Sequence, residues 1–154
     1  MPEEMALNTI DQFSKEYHFL SNFSAAEVWY DGESYPSTEH AYQAAKTLDL
    51  TWRRAIRLAA TPNDAKRLGR KAPIRPGWDD MKRDVMYTVV RQKFMQHPGL
   101  SQLLLDTGHA ELIEGNWWGD RYWGVCNGTG ENNLGKILMA VRDELREKVT
   151  ALNA

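Results

Sequence analysis

Cysteine is almost missing from this 154-residue chain, and so are long apolar runs and any large excess of charge of one sign. The one cysteine, Cys126, excludes an internal disulfide. No Cys–Cys or Cys–His spacing of the zinc-binding kind accompanies it, so no metal and no cofactor are expected. His18, His40, His97 and His109 lack the i, i+4 pairing of a metal site, and each reads as a surface or core histidine. The longest apolar run, Ile137 to Val141, has five residues, against the roughly 20 that cross a bilayer. A membrane partner is not expected. The opening Met-Pro-Glu-Glu-Met is acidic where a secretory leader is basic and then apolar, and the expected location is cytoplasmic. Gly-x-Ser-x-Gly and Gly-Lys-Ser/Thr are both absent, which removes the nucleophile elbow and the Walker loop.

What is present suits one globular domain spanning residues 1–154: 42% hydrophobic and 26% charged residues, with no repeat and no linker long enough to divide the chain. The net charge of -2 conceals a segregation. Residues 1–50 hold nine acids and two bases, residues 51–100 four acids and twelve bases, and residues 101–154 eight acids and five bases. Between Arg53 and Arg75 eight bases share the stretch with one acid, Asp64. Such a run is either a positive face for phosphate groups or a solvated helical surface.

Helices dominate the pattern. Asp31-Gly32 suits a type I′ turn between Val28–Tyr30 and Ser34–Tyr35. A hydroxyl of Ser37 or Thr38 can cap a helix running to about Leu48. Trp52–Ala60 and Asn63–Gly69 read as short basic helices, the second ended by its glycine. Trp78 opens a long amphipathic helix that stops at His97-Pro98-Gly99, and Leu100–Asp106 makes another. Leu134, Ile137, Leu138, Val141 and Leu145 mark a final core-facing helix. The fold class expected is mainly α (α+β), with small β-hairpin elements.

Three constellations carry chemistry. Helical rotation of about 100° per residue places Glu39, Gln43 and Lys46 within roughly 60° of one another. The stripe is either a wet face or the lining of a cleft, where a carboxylate stabilises positive charge on a sugar and an amine holds an anion or condenses with an aldehyde. The run from Gly115 to Gly124 holds Trp117, Trp118, Tyr122 and Trp123 around Gly119 and Asp120, a core cluster or a platform for a base. Asn127 to Gly135 brings Gly128 and Gly130 to the start of the last helix, an Asn-capped entry or an anion site.

Phe19-Leu20-Ser21-Asn22-Phe23, Glu39-His40-Ala41-Tyr42-Gln43-Ala44-x-Lys46, Trp118-Gly119-Asp120-x-x-Trp123-Gly124 and Gly128-x-Gly130-x-x-Asn133-Leu134-Gly135-Lys136, taken in order and spacing, resemble the NADAR family, also called YbiA-like. The resemblance covers about residues 13–146. It implies a compact helical fold and an N-glycosidase acting on ribosylated compounds: ADP-ribosylated guanine in DNA or RNA, ribosylamino-pyrimidine intermediates of riboflavin synthesis, or, without turnover, ADP-ribose as a bound ligand. On the matching positions Glu39, Lys46 and Asp120 are the implied catalytic groups. Asn22, Phe23, His40, Gln43, Trp118, Gly119 and Trp123 are implied to bind substrate, with Gly128, Gly130 and Asn133 cradling phosphate. Glu131 stands where the family pattern leads one to expect a lysine. Two routes stay open, water attack assisted by Glu39 and a Schiff base on Lys46.

Overall fold

The structure, a computed structural model, describes residues 8–154. The chain forms two compact units: Asn22–Gln96, and a second built from the segment up to Ser21 together with His97–Ala154.

The Asn22–Gln96 unit opens with the expected hairpin, β2 (Val28–Tyr30) against β3 (Glu33–Tyr35), with Trp29 opposite Ser34. Asp31 and Gly32 both take positive φ, 52° and 85°, the backbone a type I′ turn demands. Helix α1 (Thr38–Ala45) starts where its cap predicts, Ser37 Oγ accepting from the His40 amide at 3.1 Å. It ends at Lys46, earlier than the expected Leu48, which is exposed. Helix α2 (Leu50–Arg57) begins ahead of Trp52 because the Asp49 carboxylate caps the Thr51 and Trp52 amides. Helix α3 (Pro62–Lys71) has Thr61 as cap and proline in its first turn, and it continues past Gly69 instead of ending there. Gly69 lies inside the helix, and a Cβ at that position would overlap Gln43 Oε1 and stand 2.8 Å from Gln43 Cδ. The glycine therefore serves a close approach between helices and not a C-terminal cap. Helix α4 (Trp78–Gln96) buries Val85, Met86, Val89, Val90 and Phe94 as its periodicity predicts. Helix α1 packs against α2, α3, α4 and both strands, so all eight of its residues are buried. Its polar stripe is not a wet face.

The other unit holds β1 (Thr9–Ile10) paired in parallel with β4 (Glu111–Leu112), and β5 (Gly115–Asn116) paired in parallel with β6 (Val125–Cys126). These two-residue ladders carry no sequence signal of their own. A 3₁₀ turn covers Lys15–Leu20, and α5 (Pro98–Asp106) starts with proline in its first turn. Helix α6 (Asn133–Leu152) buries Leu134, Ile137, Leu138, Val141 and Leu145, the predicted core stripe. It packs on α5 and β4, and Arg142 Nη1 donates to Thr107 Oγ1 at 2.9 Å.

Candidate active site

Helix α1 carries a carboxylate, an amide and an amine on one face. Glu39 is 6% exposed and Gln43 3%, and Gln43 Nε2 donates to Glu39 Oε2 at 2.6 Å. An ionised carboxylate only accepts, so this bond orients the amide and turns Gln43 Oε1 toward Gly69. That oxygen is buried and accepts no hydrogen bond, an arrangement that costs about 1–3 kcal/mol. A stability optimum would place an apolar side chain there; the amide is explained by its hold on Glu39. The Glu39 amide in turn donates to the Asn22 carbonyl at 3.1 Å. Asn22 is buried, its Nδ2 donating to Met86 Sδ at 3.3 Å, and Phe23 beside it is half-buried.

Lys46 stands two turns beyond Glu39, half-buried, with its ammonium 5.9 Å from the Tyr42 ring centroid. Tyr42 packs on Trp78 with centroids 5.4 Å apart. Burial is the largest effect on this amine and pushes its pKa below 10.5. Glu39 pulls the other way, while Arg70, Lys66 and Lys82 push it further down. Glu39 and Lys46 thus sense each other's charge in a partly desolvated setting, the condition under which a lysine becomes a usable nucleophile.

His40 is held through both ring nitrogens. Its Nδ1 lies 2.7 Å from Ser37 Oγ and its Nε2 3.0 Å from the Ala59 carbonyl, so the carbonyl fixes Nε2 as the donor and Nδ1 accepts from the serine. Burial lowers its pKa, partly offset by the Ala59 bond. With both nitrogens engaged inside the fold, the ring braces α1.

The remaining implied residues lie in the other unit. Trp117 and Trp118 are 86% and 52% exposed and pack edge to face at 5.5 Å, followed by Gly119 at φ 88°. Trp123 is half-buried against Tyr122, 4.7 Å between centroids. Asp120 Oδ1 accepts from the Tyr122 and Trp123 amides at 3.1 and 2.9 Å, while Asn116 clasps the Asp120 backbone from both sides. One oxygen of Asp120 therefore holds the loop in shape.

At Gly128, Gly130 and Asn133, the implied phosphate cradle, the loop is held by its own backbone. Asn127 and Gly128 form a tight turn with φ 52° and 77°, closed by Cys126 and Thr129 bonding each other's backbone. Gly130 packs flat on the Gly124 carbonyl. The first amides of α6 are spent, Asn133 on the Tyr122 carbonyl and Leu134 on that of Trp123. The Asn132 side chain does not cap the helix; it accepts from the Glu114 amide and donates to the Leu112 carbonyl.

Lys93, which the sequence pattern gives no role, lies on the apolar stripe of α4 with its amine buried and donating to Ser24 Oγ at 2.8 Å. Among the described residues no group of three or more His, Cys, Asp or Glu side chains could hold a metal, and no helix is long and apolar enough to cross a membrane.

A mainly helical protein with a few two- and three-residue strands and a buried carboxylate–amide–amine stripe is the class that fold and site define. Residues 10–146 match the family model of the NADAR domain, and the chain belongs to that family. It is 42% identical over 135 residues to the protein named N-glycosidase YbiA of Shigella flexneri, covering 86% of this chain and 84% of that one. It is 39% identical over 136 residues to a protein of Vibrio vulnificus named a riboflavin biosynthesis protein, covering 86% of this chain and 37% of that longer one. The NMR structure of the Escherichia coli protein YbiA superposes with a TM-score of 0.82 at 40% identity, covering 93% of this chain and 88% of that one.

Proposed function

We propose that the protein is an N-glycosidase that cleaves the bond between ribosyl C1′ and a base nitrogen, with the chemistry centred on Glu39, Gln43 and Lys46. The observation that carries this reading is the desolvated Glu39 carboxylate, held by the Gln43 amide at 2.6 Å and electrostatically linked to Lys46. Departure of the base leaves positive charge on the ribosyl group. A fixed carboxylate in a dry setting stabilises that charge far better than one in water, and it can orient water toward C1′. In the second route the neutral Lys46 amine attacks C1′ of the ring-opened sugar, and the base leaves with its electron pair and a proton. Water then hydrolyses the resulting imine, returning the amine and free ribosyl aldehyde.

The relatives' names support the reaction class, and the riboflavin name borne by the Vibrio relative favours ribosylamino-pyrimidines as substrate. Removal of ADP-ribose from guanine in nucleic acid is the second reading, favoured by the exposed bases Arg54, Arg67, Arg70 and Lys71 on α2 and α3. Mass-spectrometric detection of the released base from both substrates, with Glu39→Gln and Lys46→Met in parallel, tests the proposal. Wild-type release with a loss of about 10²–10⁴-fold in Glu39→Gln is expected, at unchanged melting temperature. Equal turnover by Glu39→Gln overturns it. Borohydride present during turnover separates the routes, because only an imine on Lys46 yields a reduced covalent adduct.

A further inference from the structure

Lys93 stands on the buried side of α4 with Val85, Met86, Val89, Val90 and Phe94, and is 1% exposed. An amine on that face costs free energy that a methionine of similar length would not, so its presence is explained by what it holds. Its Nζ donates to Ser24 Oγ at 2.8 Å, and Ser24 is buried as well. Seven residues earlier, two turns along and about 20° away on the same face, Met86 Sδ accepts from Asn22 Nδ2 at 3.3 Å. Helix α4 therefore grips the segment Asn22–Ser24 at two points. A thioether is a weak acceptor and a hydroxyl a full one, so the amine makes the firmer of the two bonds.

The same segment reaches α1. The Glu39 amide, one of the donors that a helix leaves without an intrahelical partner in its first turn, bonds the Asn22 carbonyl at 3.1 Å. Two residues past Ser24, the Ala26 amide donates to the Pro36 carbonyl at 3.2 Å, one residue ahead of the Ser37 cap. Asn22–Ala26 is thus a strap between α4 and the start of α1, and the turn it meets is the one that carries the carboxylate. Gln43 fixes the Glu39 side chain from within α1, while the strap fixes its backbone from outside. A misplacement of about 1 Å at such a group costs about 10²-fold in rate.

We propose that Lys93 is a positioning residue for the glycosidic cleavage: by fastening Ser24 to α4 it sets where the Asn22 carbonyl meets α1, and so where the Glu39 carboxylate stands. Buried as it is, Lys93 acts only through Ser24 and Asn22. The inference rests on the reading that the bond is cut at Glu39, and it deepens that reading by naming the group outside α1 that holds the carboxylate in place.

Lys93→Met and Ser24→Ala test it on a ribosylamino-pyrimidine and on an oligonucleotide carrying ADP-ribosylated guanine. In Lys93→Met the melting temperature at pH 6 is expected to rise while kcat falls about 10–10²-fold at unchanged KM. A merely structural residue would move stability and turnover together or leave kcat alone. Ser24→Ala is expected to lower kcat by a similar factor, and the double variant by no more than either single one, because both remove the same bond. Hydrogen exchange at the Glu39 amide reads the positioning without any substrate, and exchange about 10-fold faster is expected in both variants. Wild-type turnover with unchanged kcat in both variants overturns the inference and leaves the glycosidase reading standing, as does a loss of kcat that only follows a fall in melting temperature. Unchanged Glu39 exchange in both variants overturns the inference with or without turnover. Faster exchange at Glu39 in a protein whose wild type cuts neither substrate overturns the glycosidase reading and sustains the hold of Lys93 on Glu39.

Discussion

Replacing Lys93 by methionine isolates the cost of burying an amine in the Asn22–Gln96 unit. The residue is 1% exposed on the apolar face of α4, donates to Ser24 Oγ at 2.8 Å and lies 5.0 Å from the Phe94 ring centroid. Desolvation pushes its pKa from 10.5 down to about 7. Between these values the unfolded chain binds one proton more than the folded one, so wild-type stability rises with pH, by at most about 1.4 kcal/mol per unit. Below pH 7 both states are protonated and the whole penalty applies, about 5 kcal/mol. Methionine keeps the length and removes the charge, but it strands the Ser24 hydroxyl at a cost of about 1–3 kcal/mol. The expected net gain is therefore about 2–4 kcal/mol at pH 6, shrinking to roughly nothing by pH 9.5. Urea unfolding of both proteins across this range reads the difference directly, because the other titrating groups cancel between them. Parallel stability curves for the two proteins would refute a neutral amine in the fold.

Gly69→Ala drives a methyl group into Gln43 and is expected to cost about 1–3 kcal/mol and to lower turnover by displacing the amide from Glu39. Gly99→Ala, in α5 with open space around it, is the control; equal melting temperatures for the two variants would contradict the close approach. His40→Phe removes the brace between Ser37 and Ala59 and is expected to destabilise by about 1–3 kcal/mol above pH 6.5. Because burial lowers the folded pKa of His40, wild-type stability is intact above about 6.5 and declines as pH falls through the lowered value. The penalty of the phenylalanine variant is therefore expected to narrow in acid, and a pH-independent difference in thermal unfolding would count against it.

Elements with a local cause were legible in the chain. Asp31-Gly32 specifies its own turn because both residues tolerate positive φ, and Ser37 specifies the start of α1 because its hydroxyl meets the amide three residues on. The stripes of α4 and α6 repeat with the helical period, which needs no partner to be seen. The same locality misled at Gly69 and at the head of α6. A glycine near a helix end signals a cap, but here it answers Gln43 on another helix, and carbonyls of residues 121–124 reach the amides at residues 131–134.

The candidate site divides along the same line. Periodicity by itself put Glu39, Gln43 and Lys46 on one face of one helix, and the motif order marked the family. Whether that face was wet or enclosed depended on α2, α3 and α4 closing around eight residues, a matter of contacts distant in sequence. Desolvation follows from that closure alone. It gives the Glu39 carboxylate its strength and lowers the proton affinity of Lys46. Sequence determined which groups lie on the helix, and tertiary packing decided their dielectric surroundings, because burial is a property of the whole unit and not of any local stretch.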